Sequence, residues 1–172
     1  MKDSGRFPIL IPLASLAFAA AHLTFEHFTG GVRSHHLLNH TNLPAISNWF
    51  ELITLPFLGV VLAKKVHAHP TSKRWAIIPV PMLIALLSAF IYGAILIASF
   101  LIGAEHITSI AFLGLFVCGV VFPVYRVEYI LGFVAGMTFI IGGVLPFLFA
   151  IIFAAGSFVL RYIISKAVGI FH

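Results

Sequence analysis

The sequence predicts an all-α fold, a polytopic bundle of about six transmembrane helices forming one domain over residues 1–172, with both termini cytoplasmic. Three observations predict it. Hydrophobic residues make up 61% of the 172 positions and charged residues only 9%, where a soluble domain carries roughly a quarter charged. Two long runs, Ala76 to Ala104 and Tyr129 to Leu160, hold neither a charge nor a histidine, and runs beyond about 18 apolar residues have the length of membrane-crossing helices. The basic residues sit at the ends of the apolar runs rather than along an exposed stripe. The net charge of +5 therefore reads as an orientation signal and a contact with anionic lipid, with no nucleic acid as partner.

The first span is read over Phe7–Phe28, ending at Gly30-Gly31. Lys2, Arg6 and the Ala19-Ala20-Ala21 run also have the layout of a cleavable signal peptide. The segment is read as retained, and the other five spans keep their orientation either way. Thr29 to Leu43 is the one sizeable outer connection, in which Ser34 is placed to cap a short interfacial helix through His40. The second span, Pro44–Ala63, is closed by Lys64-Lys65. Trp75 opens the third, Trp75–Gly103, at interfacial depth, and Pro123 closes the fourth, Ile107–Phe122. From Val127 to Lys166 a single helix would run ~60 Å, twice the hydrocarbon thickness. The chain must fold back at Gly142, Gly143 and Pro146, which splits the stretch into Val127–Leu145 and Pro146–Ile164.

Charge asymmetry orients the bundle. Lys64, Lys65, Lys73 and Arg74 place the second connection in the cytoplasm, and alternation adds Lys2, Arg6, Arg126, Arg161 and Lys166. Of the ten lysines and arginines only Arg33 falls outside. The expected location is a bacterial-type inner (plasma) membrane, with the histidine-rich first connection facing the periplasm or exterior. Cys118 is the single cysteine, so no intramolecular disulfide forms.

Ionisable groups at membrane depth are costly, which makes them the candidate functional residues. His22 and Glu26 lie four apart near the outer end of the first span, and His36 and His40 would share a face if Ser34–His40 is helical. Glu105 and His106 open the fourth span on the same side. Imidazole and carboxylate ligate zinc, copper, nickel or iron, so His22, Glu26, His36, His40 and His106 are the candidate metal ligands. No HExxH stretch is present. Asn48 and Glu51 share a face just below Trp49, and a carboxylate there must face other helices; this pair is the candidate substrate or proton site. Glu128, Gly132 and Gly136 lie on one face of the fifth span, the carboxylate near a helix amino terminus and the glycines in a GxxxG pattern; they are read as structural, for helix packing.

A shift of 77 positions superposes Glu51, Ile53 and Gly59 on Glu128, Ile130 and Gly136, a weak internal match of the kind found in inverted-repeat transporters. Six spans, a long outer first loop, cytoplasmic termini and Ala17-x-x-x-Ala21 in the first span resemble the substrate-capturing subunits of energy-coupling-factor vitamin transporters. Ser47-Asn48 beside a membrane carboxylate resembles alkaline-ceramidase-like hydrolases, but the later histidines and aspartate of that family are missing. Both resemblances concern architecture or a short stretch and imply no site residue. The expected function is binding or transport of a metal ion or small solute captured from the non-cytoplasmic side. The alternatives are an intramembrane metal-dependent enzyme acting on a lipid or quinone-like substrate, and an accessory or assembly subunit of a membrane complex. Expected partners are the lipid bilayer, the solute or metal ion, and a membrane subunit or second copy of the chain.

Overall fold

The computed structural model describes residues 8–36, 42, 44–69, 78–167 and 169. Among them the chain forms six α-helices and one short hairpin. In order these are α1 (Leu10–Phe28), β1 (Ser34–His36), β2 (Ala45–Ser47), a 3-10 turn (Asn48–Phe50), α2 (Glu51–Ala68), α3 (Val80–Leu101), α4 (Glu105–Val121), α5 (Val127–Ile141) and α6 (Val144–Ala167). The molecule is thus all-helical apart from the hairpin, and each expected span has its helix.

The connection after α1 departs from expectation. Gly30 and Gly31 take φ of +135° and +95°, a conformation other residues rarely adopt, and reverse the chain. Ser34–His36 then runs as a strand rather than a helix, pairing antiparallel with Ala45–Ser47 in the register Ser34 to Ser47, His35 to Ile46 and His36 to Ala45. The physical reason is backbone accounting: the ladder, together with the Asn48 amide donating to the Arg33 carbonyl at 3.0 Å, gives main-chain groups partners close to buried residues. Residues 37–41, His40 among them, lie outside the described residues. The α5–α6 break falls where the glycines and proline require it. Gly142 has φ +70°, and Pro146 sits in the first turn of α6, where a missing N–H costs nothing.

Close backbone approach organises the packing. A Cβ on Gly132 would overlap the Leu86 carbonyl oxygen and one on Gly136 the Phe90 carbonyl oxygen, so α5 lies directly against α3. Gly59 of α2 meets Pro12 and Ser15 of α1 in the same way. Leu55, Leu58, Leu62, Val66, Leu131 and Val134 form the interior where α2 faces α5. The two halves do not pack alike: α1 lies chiefly on α2, whereas its counterpart α4 lies on α3 and α6 and buries only Gly119. The internal sequence match therefore has no counterpart in the packing.

The exterior is apolar. Ile110, Leu113 and Val117 on α4 and Ile152, Val159 and Ile163 on α6 are all more than half exposed, with similar residues on α3. Soluble monomers rarely show contiguous apolar patches beyond a few hundred Å². Two helices, α3 and α6, are long and apolar enough to cross a membrane; α4 and α5 are apolar but shorter.

Candidate functional site

Three of the four glutamates are buried, and two of them meet at one end of the bundle. His22 and Glu26 are one turn apart on α1, both with 3% exposure. Asn48 is brought over them by the hairpin, and Glu51, with no exposed surface, opens α2. The Glu51 carboxylate meets His22 Nδ1 at 2.9 Å through Oε2 and accepts from the Gly143 amide at 2.7 Å through Oε1. Glu26 accepts from the Asn48 side-chain amide at 2.8 Å and from the Arg33 main-chain N–H at 3.3 Å. Asn48 in turn lies against Gly142, where a Cβ would overlap its amide. The cluster thus joins α1, the hairpin, α2 and the α5–α6 break.

Its charge balance is unusual. Two buried carboxylates are held by an imidazole, an amide and two main-chain N–H groups, with no lysine or arginine side chain among these partners. In the neutral tautomer that donates from Nδ1 to Glu51, His22 Nε2 presents a lone pair; in the imidazolium the same atom carries a proton. That atom is buried, has no hydrogen-bond partner among the described residues, and lies 4.0 Å from Glu26 Oε1. Two acceptors facing each other across that gap are complementary to a proton or a cation. Phe139 closes the side of the ring edge-on, its centroid 6.0 Å away. His35 supplies from the strand above a second buried Nε2 that has no hydrogen-bond partner among the described residues. Burial holds the His35 imidazole below its ordinary value of 6.5, the nearby carboxylates of Glu26 and Glu51 pulling the other way.

The sequence-derived candidates separate cleanly. His22, Glu26, Asn48 and Glu51 come together. His36 lies on the exposed side of its strand and His106 is exposed in the first turn of α4, a helix that packs on α3 and α6 rather than on α1. His40 is outside the described residues, and among those described no three histidine, cysteine, aspartate or glutamate side chains gather to hold a metal. His35 takes the inward place given to His36, because a strand alternates with period two where a helix would have paired positions four apart. The Gly143 amide carries no side-chain signal at all; its only trace in sequence is the glycine pair that breaks the last helices.

Glu128 lies elsewhere. It has no exposed surface and accepts from Lys65 Nζ at 3.0 and 2.7 Å and pairs with Arg126 Nη2 at 2.8 Å. Lys65 lies in the last turn of α2, so this centre sits at the opposite end of that helix from Glu51. With Gly132 and Gly136 on the same helix against α3, it has the features of a packing anchor. Two apolar cavities lie apart from both centres, one of about 450 Å³ bounded by α3, α4, α5 and α6, and one of about 420 Å³ bounded by α1, α2, α3 and α5.

Comparison with known proteins finds no family model, curated protein or solved structure that matches the chain. Its chemistry is read from its own residues.

Proposed function

We propose that this chain is a six-span inner-membrane protein that captures a small cation from the non-cytoplasmic side, at the cluster of His22, Glu26, Asn48 and Glu51. The membrane reading is supported by the apolar exterior, by the two helices of spanning length and by the nine-to-one distribution of basic residues. One observation carries the functional reading: the buried His22 Nε2, without a hydrogen-bond partner among the described residues, lies 4.0 Å from Glu26 Oε1. A closed apolar environment excludes water and strengthens the attraction of two carboxylates for positive charge. The cation is a proton, or a divalent metal such as zinc, copper, nickel or iron whose imidazole and carboxylate ligands would be His22 and Glu26, with His35 facing the same region. Capture of this kind is the binding step of a transporter or a proton relay.

Calorimetry with zinc on the purified chain, with the infrared carboxylate band followed against pH, tests the proposal. Glu51→Gln and His22→Gln should each weaken zinc binding by about ten-fold or more, whereas Glu128→Gln should leave it unchanged. A proton site would show no zinc uptake but a pH-dependent carboxylate band lost in Glu51→Gln. Neither signal in protein that runs as a single folded species would overturn the site. Labelling by an impermeant thiol reagent at His69→Cys in a Cys118→Ser background tests the sidedness, and labelling from outside intact cells would overturn the topology.

A further inference from the structure

The cavity between α3, α4, α5 and α6 has a shape and a setting that the cation site does not use. Pro81, Ala89 and Tyr92 of α3 line it along one side, facing Cys118 of α4, Phe133 of α5 and Phe153 of α6. The wall is almost wholly apolar, and the volume of about 450 Å³ falls in the range of small-molecule sites. From Pro81 to Tyr92 the cavity follows α3 for ~16 Å at ~1.5 Å per residue, close to one leaflet of a hydrocarbon core ~30 Å thick. Pro81 stands at the start of α3 and Phe122 just past the end of α4, so the cavity reaches the end of the bundle where Lys65, Arg126 and Arg161 lie.

A cation lies beside that end of the cavity. Arg161 Nη1 donates to the carbonyls of Val120 and Val121 at 3.0 Å each, immediately before Phe122 in the cavity wall. Those bonds satisfy the end of α4 and occupy one of the three guanidinium nitrogens, leaving the Nε and Nη2 donors. Among the described residues Arg161 forms no salt bridge with a carboxylate, in contrast to Arg126. A partly exposed guanidinium above a leaflet-deep apolar slot matches a phosphate with an acyl chain beneath it.

We propose that this cavity holds one acyl chain of an anionic phospholipid from the cytoplasmic leaflet, with the lipid phosphate on Arg161. The inference rests on the membrane-spanning reading but not on the cation site. Native mass spectrometry of the detergent-purified full chain, mixed with equal amounts of phosphatidylglycerol and phosphatidylcholine bearing identical chains, tests it. Wild type should retain phosphatidylglycerol in preference, and Arg161→Gln should cut that preference about five-fold. Ala89→Phe, which fills the slot, should reduce retention of both lipids. Should that variant misfold, Phe153→Trp in a Trp49→Phe, Trp75→Phe background replaces it, and bromine-labelled phosphatidylglycerol chains should quench its fluorescence at low lipid ratios. Equal retention of the two lipids, a preference untouched by Arg161→Gln, or no quenching would each overturn the proposal. Glu51→Gln should retain lipid normally, so loss of the cation site and loss of the lipid site are read separately; failed lipid retention with the labelling topology intact sinks only the lipid site.

Discussion

Glu51 opens α2 and Glu128 opens α5, both without exposed surface, and Glu128 lies beside the last turn of α2, at the far end from Glu51. Their partners differ in kind. Glu128 is met by two permanent cations, Lys65 and Arg126, whose side chains are about one third exposed and keep contact with water. Glu51 is met by an imidazole and a main-chain N–H, and its neighbour Glu26 by an amide and another main-chain N–H. Burying a carboxylate demands compensation, and the source of compensation decides what the group can do. Fixed cations neutralise the charge and close the site. Donors without a permanent charge satisfy hydrogen bonds and leave the net charge of the site free to change when a proton or cation joins it.

The largest expected effect breaks the closed centre. Replacing Lys65 and Arg126 together with alanine strands Glu128 in the interior without a counter-charge and should cost ~3–5 kcal/mol of unfolding free energy. Glu128→Gln in that background should recover most of the loss. Chemical unfolding in mixed micelles measures both, and a double variant as stable as wild type would show that Glu128 is protonated or hydrated rather than paired.

A smaller effect distinguishes the open centre's roof. Gly142→Ala meets both a positive φ of +70° and the Asn48 amide, and should cost ~2–3 kcal/mol while loosening cation capture. Gly30→Ala also meets a positive φ, but none of the described residues lies within 4 Å of its Cβ, so ~1 kcal/mol with capture intact is expected. Equal behaviour of the two variants in unfolding and binding would remove Asn48 from the cluster's support.

The smallest effect is the pH response of the hairpin. His35 is held below its ordinary value by burial, so the unfolded or opened hairpin binds the proton more readily than the closed one. Its contribution is therefore complete above about pH 6.5 and is lost as pH falls below that value. Hydrogen exchange at the Asn48 amide, which donates to Arg33, should accelerate over that window after correction for intrinsic rates. His35→Gln should flatten the response. Protection that rises on acidification would reverse the assignment.

Much of this architecture was legible from composition alone. Gly30-Gly31, Lys64-Lys65, Pro123 and the Gly142–Pro146 stretch mark the ends of α1, α2, α4 and α5 within a few residues, because termination is a local property of the backbone and of solvation. Glu51 was recognisable as inward-facing for a similar reason: a short carboxylate one turn below Trp49 has no inexpensive lipid-facing position. The histidine assignment was not recoverable. His35 and His36 are adjacent, and which one faces the cluster depends on whether the segment repeats every two residues or every 3.6, which hairpin pairing with Ala45–Ser47 decided. Likewise the side of the membrane, which His106 and His22 share in the sequence reading, is a coordinate along one axis only, and the packing of α4 on α3 and α6 rather than on α1 separates them.

The sequence by itself determined that the chain is helical, where its helices break, and which few ionisable groups lie among apolar residues. Those properties follow from transfer of each residue out of water, which adds along the chain without reference to neighbours in space. Only the tertiary structure decided that His22 meets Glu51 across 29 residues and that the Gly143 amide meets it across 92. The reason is that interior and exterior faces of these helices are equally apolar, so the hydrophobic pattern carries little record of which way a helix turns. Close glycine contacts and the few buried hydrogen bonds set the rotation of each helix, and the site with it.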